Sequence, residues 1–286
     1  MSFISPKLLL RRLGLTPRKS WGQHFLLHPH QARRIVEALE LTGSEAVVEI
    51  GAGLGALTEV LALKAGRVVA LERDPALARF LEEELFASQP RVEVRCQDVL
   101  KFDLAQFRRE AGAPVVVVGN LPYQITSPVL FKLVEEKPAL SRAVLMMQQE
   151  VGQRLLASPG GKDYGVLTVL LRYHFALTRL FSLGPANFYP PPQVDSVVLR
   201  LAPAAPEVRA ADEAGMARVV KAAFAHRRKT LNNTLAAPAP AFGLTPEAMR
   251  ACLKEMDIDP SRRGETLSPA QFAELSNKIG LRRTES

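Results

Sequence analysis

AVVEIGAGLGALTEVLALKAGRVVALERD, residues 46–74, decides the fold. It opens on AVVEI (46–50), a short β-branched run suited to a strand buried on both faces. Glycines follow at 51, 53 and 55, where a backbone must turn tightly or approach a ligand. LTEVLALKAG (57–66) then has helical spacing, and RVVAL (67–71) returns to the pattern of a buried strand. Strand, glycine turn, helix and strand make a βαβ unit, which requires a parallel neighbour.

The alternation continues outward from this unit. PALARFLEEELF (75–86) reads as helix, and VEVRC (92–96) and PVVVVG (114–119) read as strands. RAVLMMQ (142–148) and DSVVLRL (195–201) are further strands. Between these two lie a helix (149–157), the loop SPGGKDYG (158–165) and the apolar stretch VLTVLLRYHF (166–175). APAAPEV (202–208) is a Pro/Ala linker and the clearest boundary. Beyond it Asp212 to His226 carries an apolar stripe, AAPAPAFG (236–243) separates helices, and Thr245-Pro246 and Ser268-Pro269 each place an N-cap before an N1 proline. Ser268 and Gln271 have capping-box spacing. We expect a basic arm (1–36), an α/β domain (37–203) and a small all-helical domain (204–286).

Charge points to a polyanionic partner. The net charge is +8, and residues 1–36 contain Lys7, Arg11, Arg12, Arg18, Lys19, Arg33 and Arg34 with no acid. Such an arm suits nucleic acid before membrane, and it also suits a solvated tail. Cys96 and Cys252 are the only cysteines, which supports neither a disulfide framework nor a thiolate zinc site. No apolar run is long enough to span a bilayer. The start, MSFISPKLLLRRLGL, lacks a secretory h-region, and we read the chain as cytoplasmic.

Three features suggest a nucleoside cofactor. The glycine turn follows a strand, Glu72 ends the second strand where a carboxylate can accept both hydroxyls of a ribose, and Asp98 ends the third within reach of an adenine amine. A glycine turn alone fits structural turns and assorted nucleotide sites equally. Its spacing departs from the G-x-G-x-x-G dinucleotide fingerprint, however, and no pyrophosphate needs seating here. With Glu72 and Asp98, a methyl donor, S-adenosyl-L-methionine, is the leading reading.

Asn120-Leu121-Pro122-Tyr123 directly follows the strand PVVVVG. The N6 lone pair of adenine is delocalised into the ring and is a poor nucleophile. Acceptors on its two hydrogens, supplied by the Asn120 side chain and the Leu121 carbonyl, would localise it. Pro122 has no N–H to compete, and the Tyr123 face can stack on the base and stabilise the nitrogen cation formed during transfer. Phe188, in FYPPPQVDS (188–196), is either a second stacking face or a core residue beneath a rigid loop.

These segments resemble the rRNA adenine N6,N6-dimethyltransferase family, in particular its bacterial small-subunit members. The resemblance rests on GQHFL (22–26), EIGAGLGALT (49–58), ALERD (70–74), QDVL (97–100), GNLPYQITSPVL (119–130), FYPPPQVDS (188–196) and FAHRRKTLNNTL (224–235). It implies a Rossmann-like S-adenosylmethionine-dependent methyltransferase domain followed by a helical RNA-binding domain. It also implies dimethylation of two adjacent adenosines in a hairpin near the 3′ end of 16S rRNA, on a small-subunit particle, with a role in ribosome biogenesis; a monomer is expected. Carried over by motif, the donor would meet His24, Leu26, Gly51, Gly53, Glu72, Asp98 and Asn120, and the base would meet Asn120, Leu121, Pro122, Tyr123 and Phe188.

Two positions depart from the family. GQNFL reads GQHFL here, so His24 brings a tautomer into play. Gln193 replaces the usual lysine of the proline-rich loop. His24, His28 and His30 lack metal-ligand spacing. Arg227, Arg228, Lys229 and Asn232 crowd one helix end, where they suit RNA contact or the helix dipole. A large-subunit or DNA adenine methyltransferase, a non-catalytic nucleic-acid-binding factor and a nicotinamide oxidoreductase are the competing readings.

Overall fold

The computed structural model describes residues 4–226 and 228–284 and divides into two compact units. One takes the chain up to Gly152 and again over Ala176–Pro203; the other takes Gln153–Phe175 and the chain from Ala204 onward.

The first unit is built on seven strands: β1 (Ala46–Ile50), β2 (Arg67–Glu72), β3 (Val92–Cys96), β4 (Val115–Asn120), β5 (Leu140–Gln148), β6 (Phe175–Leu183) and β7 (Ser196–Pro203), in the order β3-β2-β1-β4-β5-β7-β6. The first five strands of that order run parallel, and β7 lies antiparallel to β5. The central strands are near-continuous aliphatic runs because helices cover both faces; Val47, Val68 and Val115 through Val118 are fully buried. Ile50 pairs with Leu71 and Gly119, and Asn120 pairs with Met146, so the carboxyl ends of these strands form one edge. In open parallel sheets that edge is where ligands bind.

Among the described residues six α-helices lie wholly in this unit: α1 (Pro6–Arg12), α2 (Pro29–Glu37), α3 (Ala56–Lys64), α4 (Pro75–Phe80), α5 (Leu104–Ala111) and α6 (Thr126–Glu135). Leu57 and Leu61 of α3 pack with Ile35 and Val36 of α2 and with Val47, Val68 and Val116. Leu10 of α1 packs with Leu77 and Phe80 of α4 in a second cluster. Residues 4–36 are therefore no free arm: Leu10, Phe25, Leu26, Ala32, Ile35 and Val36 are in the core, while Ile4, Leu8, Arg33 and Arg34 are exposed. After α4 the helix widens into one π turn, Leu81–Leu85. Gly55 shows why a glycine precedes α3. It has φ +85°, and a Cβ there would stand 2.6 Å from Leu85 Cδ2 and 3.0 Å from Leu81 Cδ2.

Strand β6 carries no strand signal in its sequence. Its sequence, FALTRLFSL, is buried only at Phe175 and Leu183, the signature of a sheet edge and not of an interior run. Phe25–Leu26 and Phe188–Tyr189 also form an unanticipated two-stranded ribbon, pairing Phe25 with Tyr189 and Leu26 with Phe188.

The helix α7 (Gln149–Leu156) contains the point where the chain passes between units. The second unit continues with α8 (Val166–His174), α9 (Glu213–Ala223), α10 (Pro246–Glu255) and α11 (Pro269–Thr284). The Ala/Pro linker marks its later boundary, but residues 153–175, read from sequence as part of the first domain, pack here: α8 contacts α9 and α11. Both caps form. Thr245 Oγ1 accepts the Ala248 N–H at 3.1 Å, and Ser268 and Gln271 exchange hydrogen bonds of 3.0 and 3.2 Å.

Candidate active site

The carboxyl edge of the sheet opens on a cavity of about 570 Å³ within the first unit. His24, Leu26, Gly51, Gly53, Glu72, Asp98, Asn120 and Pro122 all line it, from five separate segments of the chain.

The glycine turn carries its load through Glu72. This carboxylate is 7% exposed and accepts the Gly53 N–H at Oε2 and the Asp74 N–H at Oε1, both at 2.8 Å. Each oxygen keeps a second lone pair for a hydroxyl. Burial is the largest influence on Glu72 and pushes its carboxyl up, with the Asp74 charge adding and the backbone N–H groups opposing. Asp98, which lines the cavity, accepts the Leu100 N–H at Oδ1 at 2.9 Å and so caps a short helical turn.

Asn120 is oriented by its neighbours. Its Nδ2 donates to the His24 carbonyl at 2.9 Å, which fixes the amide and turns Oδ1 the other way as an acceptor. The Leu121 N–H donates to the Met146 carbonyl at 2.9 Å, holding the chain at the strand end while the Leu121 side chain is buried. The Pro122 carbonyl accepts from Ile125 N–H and Thr126 Oγ1, which starts α6. Tyr123 is partly buried; burial pushes its phenol up, opposed by a hydrogen bond with Ser196. Its ring lies 5.6 Å from that of His24, tilted by 31°.

His24 Nδ1 stands 2.7 Å from the Pro190 carbonyl. A carbonyl only accepts, so in the neutral ring the hydrogen is on Nδ1 and Nε2 is a bare acceptor. This settles the tautomer that replacing Asn raised, and it ties the GQHFL segment to the proline-rich loop. Gly22, with φ +64°, lets that segment pass Pro122 and Tyr123, which a Cβ would meet at 3.5 Å.

Phe188 does not stand over this site. It is 2% exposed and packs with Leu26, Ile35 and Val198. Strand geometry alternates side chains between faces, and the pairing with Leu26 turns Phe188 inward while Tyr189 packs with the second cluster. Gln193 is exposed.

Several residues were passed over in the sequence. Trp21, the only tryptophan, lines the cavity with Arg18 over its ring at 4.4 Å and Arg73 at 5.1 Å. Arg18 also pairs with buried Asp74 at 3.6 Å, and Gln23 Nε2 donates to Asp74 at 3.3 Å. A lone tryptophan amid basic residues was the available signal. Glu49 lines the cavity and accepts a hydrogen bond from Thr58 of α3.

The predicted RNA residues lie in the second unit. Helix α9 ends at Ala223, so Arg228 and Lys229 sit on an exposed turn past its end and not on the helix. Asn232 is partly buried, and its Oδ1 accepts from Arg250 Nε at 2.8 Å, so its amide is already engaged within this unit. Arg227 lies outside the described residues.

Strand order and edge chemistry together are those of an S-adenosylmethionine-dependent methyltransferase. The residues present fit this donor, since buried carboxyl groups meet its positive charge and Glu72 retains acceptors for hydroxyls.

The chain belongs to the ribosomal RNA adenine dimethylase family, whose profile matches residues 14–280. It is 46% identical to ribosomal RNA small subunit methyltransferase A of Myxococcus xanthus over 281 residues, covering 96% of this chain and 95% of that one. Identity to the protein of the same name in Geobacter metallireducens is 44% over 272 residues, covering 94% and 98%. Among solved structures, a dimethyladenosine transferase from Plasmodium falciparum matches with a TM-score of 0.75 at 26% identity, covering 90% of this chain and 98% of that one. The 23S rRNA methyltransferase ErmE matches with a TM-score of 0.65 at 26% identity, covering 90% and 99%. Among the described residues no helix is long and apolar enough to cross a membrane.

Proposed function

We propose that this chain dimethylates N6 of two adjacent adenosines in a hairpin near the 3′ end of 16S rRNA, acting on a small-subunit particle during ribosome biogenesis. The observation that carries the reading is the Asn120 amide, whose Nδ2 is occupied by the His24 carbonyl so that Oδ1 faces away as an acceptor. Aimed at one N6 hydrogen, with the Leu121 carbonyl at the other, it localises the nitrogen lone pair. Tyr123 supplies one stacking face, fixed by Ser196 through its hydroxyl. Phe188 serves from the core, holding the ribbon that carries His24 and Pro190.

When bound, S-adenosylmethionine supplies an electrophilic methyl on a sulfonium. Gly51 and Gly53 allow its close approach, Glu72 takes hydroxyl hydrogens, Asp98 takes an amine, and His24 and Leu26 complete the wall. In-line displacement needs alignment more than acid–base help, which suits a site that offers oriented acceptors and no strong base. Arg228 and Lys229, exposed in the second unit, contribute phosphate contacts. The small-subunit target is supported by the names of the curated relatives at 43–46% identity.

The test uses the purified protein, labelled S-adenosylmethionine and unmethylated small subunits, with product nucleosides located by mass spectrometry. Dimethyladenosine at two adjacent loop positions is the expected result. Methylation confined to large-subunit rRNA, or none with donor binding intact, would overturn the assignment.

A further inference from the structure

Glu49 has no task in the reading above. It stands near the end of β1, 1% exposed, and lines the cavity. Thr58 Oγ1, fully buried on α3, donates to its Oε2 at 2.6 Å. Ala70 of β2 lies alongside it, and the buried Glu72 at the end of that strand acts on it by charge. Glu59 of α3 and Arg33 of α2 line the same cavity with their side chains exposed, and His24 lines it from the ribbon. Strand β4 brings only Val118 alongside. Among the described residues no Lys, Arg or His makes an ion pair with Glu49.

A carboxyl in this setting has one hydroxyl partner and neighbours of its own sign. Burial above all pushes it up to about 8, against the Thr58 bond and with the Glu72 charge adding. In the donor-free protein at neutral pH it therefore keeps its proton. S-adenosylmethionine brings a sulfonium and an α-ammonium against a single carboxylate, a net positive ligand. A cation beside a buried carboxyl favours its ionised form.

We propose that the cavity takes up S-adenosylmethionine with release of the Glu49 proton to solvent, so that the cationic donor and a proton compete for one carboxylate. The balance is simple: neutral Glu49 and free donor become ionised Glu49, bound donor and one proton in water. This rests on the reading of the cavity as the donor site. Glu49 thus positions the donor by charge, and donor capture becomes steeper as the surroundings turn alkaline.

The test is calorimetric titration of the full-length protein with S-adenosylmethionine at pH 7 in phosphate and in Tris, whose ionisation enthalpies differ. About one proton released per donor is expected for the wild type. Wild-type affinity is expected to climb about tenfold per pH unit below about pH 8 and to level above it. Glu49→Gln, isosteric and neutral, is expected to bind with no proton release and an affinity indifferent to pH. Thr58→Val, which removes the bond that lowers Glu49, is expected to move the rise to higher pH. Buffer-independent heats with flat wild-type affinity would overturn the proposal, and so would proton release that persists in Glu49→Gln. A wild type that binds no donor at all would be a different failure, removing the donor-site reading itself.

Discussion

Asn120→Asp separates the strength of the acceptor at the reacting nitrogen from its orientation. The substitution keeps the size of the side chain and leaves an oxygen at Oδ1, of greater basicity than the amide's. It removes only the NH₂ that the His24 carbonyl accepts at 2.9 Å. A carboxylate oxygen would then face a carbonyl oxygen, with the hydrogen bond lost and the carbonyl left unsatisfied, together about 1–3 kcal/mol. The side chain relieves this by rotating, which takes its acceptor out of line. Removing one aimed polar partner from a transition state costs about 3–4 kcal/mol, on the order of 10²–10³ in rate. Single-turnover transfer to unmethylated small subunits should therefore fall at least about a hundredfold, with donor affinity by calorimetry within about tenfold of wild type. Asn120→Ala should abolish transfer and leave donor binding reduced but measurable. Wild-type turnover in Asn120→Asp would refute the orientation argument, because basicity alone would then suffice.

Gly51→Ala meets nothing nearer than the Asn120 carbonyl at 3.8 Å, so its cost to folding is the strain of φ +73°, about 1–2 kcal/mol. Its cost to donor affinity should be larger, and equal losses in chemical denaturation and calorimetry would remove the close-approach role. Stability of the donor-free protein should fall as pH rises from 4.5 to about 8 and then level. Over that window folded Glu49 holds a proton that the unfolded chain has lost, and urea denaturation should show the slope flattened in Glu49→Gln. Arg228→Ala with Lys229→Ala should weaken particle binding and shallow its salt dependence while leaving donor affinity unchanged; an unaltered salt slope would take both residues out of the RNA footprint.

The parts of the fold legible in the sequence were those whose signal is local. AVVEI and PVVVVG are buried on both faces, so their sequence alone marks them as interior strands, and the residues that end them, the glycine turn and Asn120, fall at one edge. Strand β6 escaped because an edge strand shows no continuous apolar run. Residues 153–175 were misplaced because apolar helices carry no label for the body they pack against. At the site, residue types were legible and their partners were not. The His24 tautomer depends on a carbonyl at Pro190, and the inward turn of Phe188 depends on pairing with Leu26, both across more than a hundred and fifty residues. Asn232 is tied to Arg250, a pairing eighteen residues apart that no local pattern displays.

The detour of residues 153–175 also bears on how the chain is made. Helix α8, with Leu167, Leu170 and Leu171 buried, packs with α9 and α11, and the last of these partners is synthesised about a hundred residues later. At ribosomal speeds that interval is roughly 5–20 s. Through it the nascent chain carries an apolar helix whose cover is incomplete, so the second unit closes only once α11 has been made. A polypeptide terminated within α11 would keep the whole sheet and its cavity and still expose that helix, a ready target for chaperones and proteases.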